Sequence, residues 1–171
     1  GDTSAGMTAN DRYEGEFLDG KMHGKGKYYF QAGSYYSGDL KDGHFNGKGD
    51  IYTKNHIIKM NGEWVNDFKH GKFTLYHTTN DKRSVLFTGH YRNGKVVGYG
   101  MQYNEDGTKR YDGTFIDGMY DGDNCTYYST HGTIKYKGDF RKNNYHGKGI
   151  CYDDLGDEIV SGTFQNGLLV D

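Results

Sequence analysis

The sequence predicts an all-β protein, a single-layer antiparallel sheet of stacked hairpins, and three observations carry that reading. Of 171 residues, 28 are glycine and none is proline, while 17 tyrosines and 9 phenylalanines bring the aromatic share to 16%. Disordered glycine-rich linkers lack such a ring content, and collagen or polyproline structure needs proline, so the composition indicates ordered, glycine-punctuated strands. The glycines keep a fixed spacing along the chain. Large residues flank them with period two.

Taking the glycine of "YEG" as position zero exposes the repeat. It returns as Gly15, Gly38, Gly62, Gly89, Gly113, Gly138 and Gly162, at steps of 23, 24, 27, 24, 25 and 24 residues. Six complete units and a truncated seventh therefore fill residues 13–171. Two residues before this glycine stand Tyr13, Tyr36, Met60, Phe87, Tyr111, Tyr136 and Val160; two after it stand Phe17, Leu40, Trp64, Tyr91, Phe115, Phe140 and Phe164. Alternation of large, glycine and large places all three positions on one face of a strand.

Five residues after the zero glycine come Gly20, Gly43, Asp67, Gly94, Gly118, Asn143 and Gly167. All are residue types that tolerate positive φ, so this column predicts a turn. Nine after it, glycine stands in every complete unit; eleven after it, glycine stands in four of six, with Phe73 and Asn124 the exceptions. Fourteen after it come Tyr29, Tyr52, Tyr76, Tyr103, Tyr127 and Tyr152. Gly33, Gly107, Gly132 and Gly156 mark connections between units. Each unit reads as strand, turn and strand, and no 3.6-residue stripe argues for helix.

A one-layer sheet has no second layer to cover its face, so it must fill that face itself. Glycine beside an aromatic residue leaves room for the ring to lie across neighbouring backbone. Burying such a ring gives roughly 1.5–3 kcal/mol, against roughly 0.5–1 kcal/mol lost to a strand glycine. The array should be elongated and twisted, on the order of 60–65 Å long.

Units such as "YEGEFLDGKMHGKGKYYFQAG", "YSGDLKDGHFNGKGDIY" and "YKGDFRKNNYHGKGICY" resemble MORN repeats (membrane occupation and recognition nexus). The likeness runs through residues 13–171, with local departures at Asp67 and Phe73, at the "TTNDKRS" insertion, at Asn124 and after "LLVD". It implies a non-enzymatic scaffold or adaptor that binds partner proteins in cytoskeletal, ciliary or membrane-associated assemblies, as a homodimer in some members. Alternatives implied by the same resemblance are a phospholipid-binding tether and a regulatory segment of a larger enzyme such as a SET-domain lysine methyltransferase or a lipid kinase.

The residues themselves yield several candidate sites. Tyr29, Tyr52, Tyr76, Tyr103, Tyr127 and Tyr152 are the candidate partner groove, suited to the apolar face of an amphipathic helix. Lys25, Lys48, Lys72 and Lys148, between the paired glycines, are the candidate row for acidic lipid headgroups, interrupted by Tyr99 and Asp123 and offset by Asp39, Glu63 and Asp139. Leu168, Leu169 and Val170 are the candidate dimer edge.

His23, His70 and His146 share one slot, but neighbouring units lie about 10 Å apart, too far for a common metal, so they read as exposed turn residues. Cys125 and Cys151 read as free thiols. No nucleophile–base set stands out, and "GKGKYYF" lacks the helix a phosphate loop needs. No catalytic residue, cofactor, metal or nucleic acid is expected. The formal charge of −2 favours neither nucleic acid nor an anionic membrane, and an intracellular, reducing setting is expected from two cysteines and the lack of an apolar leader. Residues 1–12 are set apart as a disordered or expression-derived leader.

Overall fold

The computed structural model describes residues 7–171; residues 1–6, part of the leader set apart above, lie outside the described residues. The chain is all-β, with strands antiparallel and arranged in chain order. Two compact units are distinguished, one running up to Val85 together with Tyr91–Lys95, the other Leu86–His90 with Val96–Asp171. The first holds β1 (Arg12–Leu18), β2 (Lys21–Tyr29), β3 (Tyr35–Lys41), β4 (His44–Tyr52), β5 (Ile58–Val65) and β6 (Phe68–His77). Strand β7 (Ser84–Arg92) has residues in both. The second holds β8 (Lys95–Tyr103, from Val96 on), β9 (Lys109–Ile116), β10 (Met119–Tyr120), β11 (Gly122–Tyr128), β12 (Ile134–Arg141), β13 (Asn144–Tyr152), β14 (Glu158–Gln165) and β15 (Leu168–Leu169). Among the described residues the one helical segment is a 3-10 turn at Thr79–Asp81, in the "TTNDKRS" insertion.

Strand β1 opens at Arg12, and Met7 packs on the aromatic core of the first unit. Asp11 is tied in as well, because its carboxylate accepts hydrogen bonds from the Tyr28 hydroxyl and the Gln31 amide, each at 2.9 Å. Residues 7–12 therefore belong to the fold of this unit.

Within each repeat the hairpin turns on two residues of positive φ, such as Asp19–Gly20 (51° and 77°), Asn66–Asp67 (47° and 74°) and Lys142–Asn143 (47° and 71°). Such pairs match the twist of the flanking strands, which is why Asp, Asn and Gly fill all of these positions but that of Lys142. The turn amide also joins successive hairpins: Gly43 donates to the Met22 carbonyl at 3.0 Å, Asp67 to that of Phe45 at 3.0 Å and Asn143 to that of Tyr120 at 2.9 Å. Where Asp67 and Asn143 replace glycine, their side chains add a bond, accepting from the Phe45 and Tyr120 amides at 2.8 Å.

The zero and eleventh columns lie opposite one another across the strands. Gly15 faces Gly26, Gly26 faces Gly38, Gly38 faces Gly49 and Gly49 faces Gly62. In the second unit Gly100 faces Gly113, Gly138 faces Gly149 and Gly149 faces Gly162. The result is a ladder of bare backbone, and tyrosines lie on it. A Cβ built on Gly49 would clash with the hydroxyl end of the Tyr36 ring, and one on Gly149 with that of Tyr136.

The glycine nine residues on has a different task. In β2 the three residues His23–Lys25 stand opposite Glu16 alone, and the same bulge recurs in β4 opposite Asp39 and in β13 opposite Asp139. Gly24, Gly47 and Gly147 take φ of 71°, 109° and 80° there, a left-handed conformation that suits glycine. The bulge turns the lysine amide onto the facing carboxylate: Lys48 donates to Asp39 at 3.0 Å and Lys148 to Asp139 at 3.2 Å. It also leaves the carbonyl of the acidic residue outside the ladder bonds. The tyrosine hydroxyl fills that gap, Tyr36 donating to the Asp39 carbonyl at 2.7 Å and Tyr136 to that of Asp139 at 2.8 Å.

Candidate partner-binding surface

The two faces of the strands differ in chemistry. On the aromatic face, rings two residues before the zero glycine stack on those seven after it: Tyr36 on Phe45 at 3.8 Å, Tyr111 on Tyr120 at 3.9 Å and Tyr136 on Tyr145 at 3.8 Å. The ring two residues after the next zero glycine meets each stack edge-on, Trp64 against Tyr36 at 5.7 Å and Phe164 against Tyr136 at 5.6 Å. Edge-to-face and offset pairs of this kind add about 0.5–1.5 kcal/mol each beyond area burial.

Tyr36, Phe45, Trp64 and Phe73 in the first unit, and Tyr111, Phe115, Tyr136, Phe140 and Phe164 in the second, are buried within this face. Met22, Met60, Tyr91, Tyr120, Tyr127 and Tyr145 on the same face are only half-buried. Burial pushes the phenols of Tyr91 and Tyr145 up to about 12.

Two departures from the repeat are explained by this packing. Repeat three has Met60 in the tyrosine column, so it brings no ring to cover Gly62. Phe73 stands where glycine is usual, opposite Gly62, and its own ring lies across Gly62 from the facing strand. In the same repeat Lys69 takes the slot of the stacking ring. Its ammonium lies 6.0 Å from the Trp64 ring centroid and 5.4 Å from that of Tyr91, and burial lowers its pKa.

Repeat five carries one extra residue in its bulge. Cys125, and not Asn124, takes the glycine-ladder position opposite Gly138, and Tyr127 faces Tyr136. Tyr127 therefore stands on the aromatic face, 6.1 Å from the Tyr120 ring. The corrected register puts Tyr128 in the fourteenth column. The 25-residue step from Gly113 to Gly138 was the signal: moving repeat five by one residue aligns Tyr127–Tyr128 with Tyr28–Tyr29.

The other five tyrosines of that column stand on the opposite, polar face, half-buried. In the first unit Tyr35 stacks on Tyr52 at 5.2 Å and lies 5.2 Å from Tyr29, while Arg12 covers Tyr29 at 4.2 Å and Arg83 covers Tyr76 at 5.1 Å. Tyr103 and Tyr152 close strands β8 and β13 in the second unit. Lys25, Lys48, Lys72 and Lys148 stand exposed on this polar face, and Lys25 is paired with Asp39. Burial alone would raise the Asp39 carboxyl, but Lys25 and the Lys48 amide outweigh it and hold the pKa below the ordinary value.

His23 and His146 sit in the strand bulges and not in the turns, half-buried, with Nδ1 atoms that are buried and lack a hydrogen-bond partner. His70 is exposed. Among the described residues no three His, Cys, Asp or Glu side chains are grouped as metal ligands. Cys125 is buried and Cys151 half-buried, both free thiols. Leu168 and Leu169 form β15 against β14, and Leu168, Leu169 and Val170 are exposed by 71%, 46% and 56%. No helix among the described residues is long and apolar enough to cross a membrane.

Repeated hairpins, a glycine ladder and a ring-covered face define a β-repeat module. A family model for the MORN repeat matches residues 13–35, 36–55, 61–72, 87–109, 111–122 and 136–154, and the chain belongs to that family. Two of the matches stop at 72 and 122, next to Phe73 and to the longer bulge of repeat five. No curated protein matches the chain. MORN repeats are often binding or adaptor modules and generally non-enzymatic.

Proposed function

We propose that the chain is a scaffold whose aromatic sheet face receives a partner protein, an amphipathic helix being the segment whose apolar side fits it. One observation carries this reading: in each unit taken by itself, residues of the aromatic face stay half-buried above a floor of rings, Met22, Met60 and Tyr91 in the first and Tyr120, Tyr127 and Tyr145 in the second. Apolar surface left open in this way marks interaction sites. Tyrosine suits it, joining a large apolar area to a polar tip. The tyrosine row of the polar face offers a second, more hydrated contact.

The lysine row supports membrane binding less well, because Asp39, Glu63 and Asp139 interleave with it and Asp39 already pairs with Lys25. Flotation with acidic liposomes at rising salt tests that alternative, since exposed lysine contacts weaken steeply with ionic strength.

The scaffold reading is tested by affinity capture from cells with the full chain and two pairs of variants. Lys69 demonstrates that the seventh column accepts lysine, so Met22→Lys and Tyr145→Lys place a charge on the aromatic face at matched positions. Tyr76→Ala and Tyr103→Ala probe the polar face. Loss of a partner from the first pair, with circular dichroism unchanged, supports the reading; folded variants that keep every partner contradict it.

A further inference from the structure

In the second unit, Tyr120, Tyr127 and Tyr145 stand around Phe140 at an open depression of about 340 Å³, with Lys135 and Asn144 at its rim. A neighbouring depression of about 480 Å³ shares Tyr127 and Lys135 and is lined further by Ser129, Tyr152, Asp153 and Asp154. The same place in the first unit is filled by the chain itself. Tyr28 is the counterpart of Tyr127 and Phe45 that of Tyr145, and Phe30, two residues after Tyr28, packs on both, 5.4 Å from the Tyr28 ring and 6.1 Å from the Phe45 ring. Asp11 completes this arrangement by accepting a hydrogen bond from the Tyr28 hydroxyl at 2.9 Å. Two residues after Tyr127 comes Ser129, which has no ring, and its hydroxyl is engaged with Thr133 at 2.7 Å. The filled slot therefore displays what the depression at Tyr120, Tyr127 and Tyr145 lacks in its own lining: a further aromatic ring two residues after the tyrosine, and a carboxylate.

We propose that the depression at Tyr120, Tyr127 and Tyr145 is an anchor site for a partner segment that inserts an aromatic side chain and presents a carboxylate to Tyr127 and Lys135. This rests on the scaffold reading and specifies the chemistry of its partner. The ring would lie on Tyr127 and against Tyr145, as Phe30 lies on Tyr28 and Phe45. The carboxylate would meet the Tyr127 hydroxyl, as Asp11 meets Tyr28. Lys135, exposed at the rim, supplies a charge that the first unit does not need, because its carboxylate is already part of the chain. Aromatic anchors in such pockets dominate interface energetics, and charge-assisted hydrogen bonds set their orientation.

The test titrates the full chain with three probes, followed by NMR: N-acetyl-phenylalanine, its amide, and N-acetyl-alanine. Only the first has both ring and carboxylate. It is expected to shift resonances of Tyr127 and Tyr145 with millimolar affinity, the amide to bind about tenfold more weakly, as loss of a charge-assisted hydrogen bond implies, and N-acetyl-alanine not to bind. Ser129→Phe fills the slot from within, as Phe30 does, and should abolish the shifts; Lys135→Gln should weaken them while leaving the fold intact. Absence of binding by N-acetyl-phenylalanine, or binding that Ser129→Phe leaves unchanged, overturns the anchor site. Neither result bears on the scaffold reading, which stands or falls on the capture experiment with Met22→Lys and Tyr145→Lys.

Discussion

The ring of Tyr36 lies over Gly49, on the strand that faces it, and carries its hydroxyl to the carbonyl of Asp39, 2.7 Å away. One side chain thereby covers bare backbone and satisfies the oxygen that the neighbouring bulge leaves out of the ladder. Tyr136 repeats this with Gly149 and Asp139.

Gly49→Ala should cost about 1–3 kcal/mol, the usual penalty for overpacking a filled core, because the new methyl group clashes with the hydroxyl end of the Tyr36 ring. Gly43, at a turn with φ of 84° and nothing within 4 Å of a built Cβ, is the control. Gly43→Ala should cost about 1 kcal/mol through backbone strain alone. Denaturant midpoints of the two variants compare these costs directly, and Gly43→Ala costing the more would contradict the packing account.

Much of the fold was legible because its constraints are local in sequence. The turn column could be read from Asp67 and Asn143, since few residues other than glycine accept positive φ. The alternation around each zero glycine identified the aromatic face for the same reason: period two is a property of one strand. What escaped was whatever depends on the facing strand. Phe73 looks like a broken glycine column until Gly62 is seen opposite and Met60 is seen to bring no ring. Tyr127 looked equivalent to Tyr29 because a longer bulge moves it to the other face without changing its distance from Gly113. The carboxylates of Asp39 and Asp139 read only as charges offsetting a basic row, yet each also accepts a backbone amide, of Lys48 and of Lys148, that only the bulge brings near.

Phe73→Gly restores the usual repeat residue and should nevertheless destabilise the first unit by about 3–5 kcal/mol, the cost of deleting a buried ring. Adding Met60→Tyr should recover a large part of that loss, since the ring then reaches the glycine from the other strand. A double-mutant cycle measured by urea unfolding reads the coupling, expected at about 0.5–3 kcal/mol for residues that share a contact. Strictly additive effects would show that the two positions do not trade places.

Asp39 makes stability sensitive to acid. Its pKa is lower in the folded chain than the ordinary 3.8, so its contribution is full above that value and fades as pH falls through the folded pKa. Asp39→Asn should therefore be less stable than the parent at pH 7, with the gap closing in strong acid. Paired urea melts at pH 7 and near pH 2 measure this; a gap that is equal at both would rule out the carboxylate as the cause.

The buried phenols have the opposite sign. Burial first, and nearby carboxylates second, raise Tyr36 above its ordinary value of 10.0, and burial takes Tyr145 to about 12. A neutral phenol that resists ionisation stabilises the fold fully below pH 10 and loses that effect as pH climbs through the folded pKa. Phenolate absorbance from the stacked rings should rise together with the loss of β-sheet circular dichroism, not ahead of it.

The central claim is that rings occupy the space a side chain would take on the ladder glycines Gly49 and Gly149, and the Hα resonances of these two residues report it in the unaltered protein. A proton directed into the face of Tyr36 or Tyr136 is shielded by the ring current, so both resonances should lie well upfield of those of the turn glycines Gly43 and Gly167. Hα shifts of Gly49 and Gly149 indistinguishable from those turn residues would mean that no ring lies over the ladder.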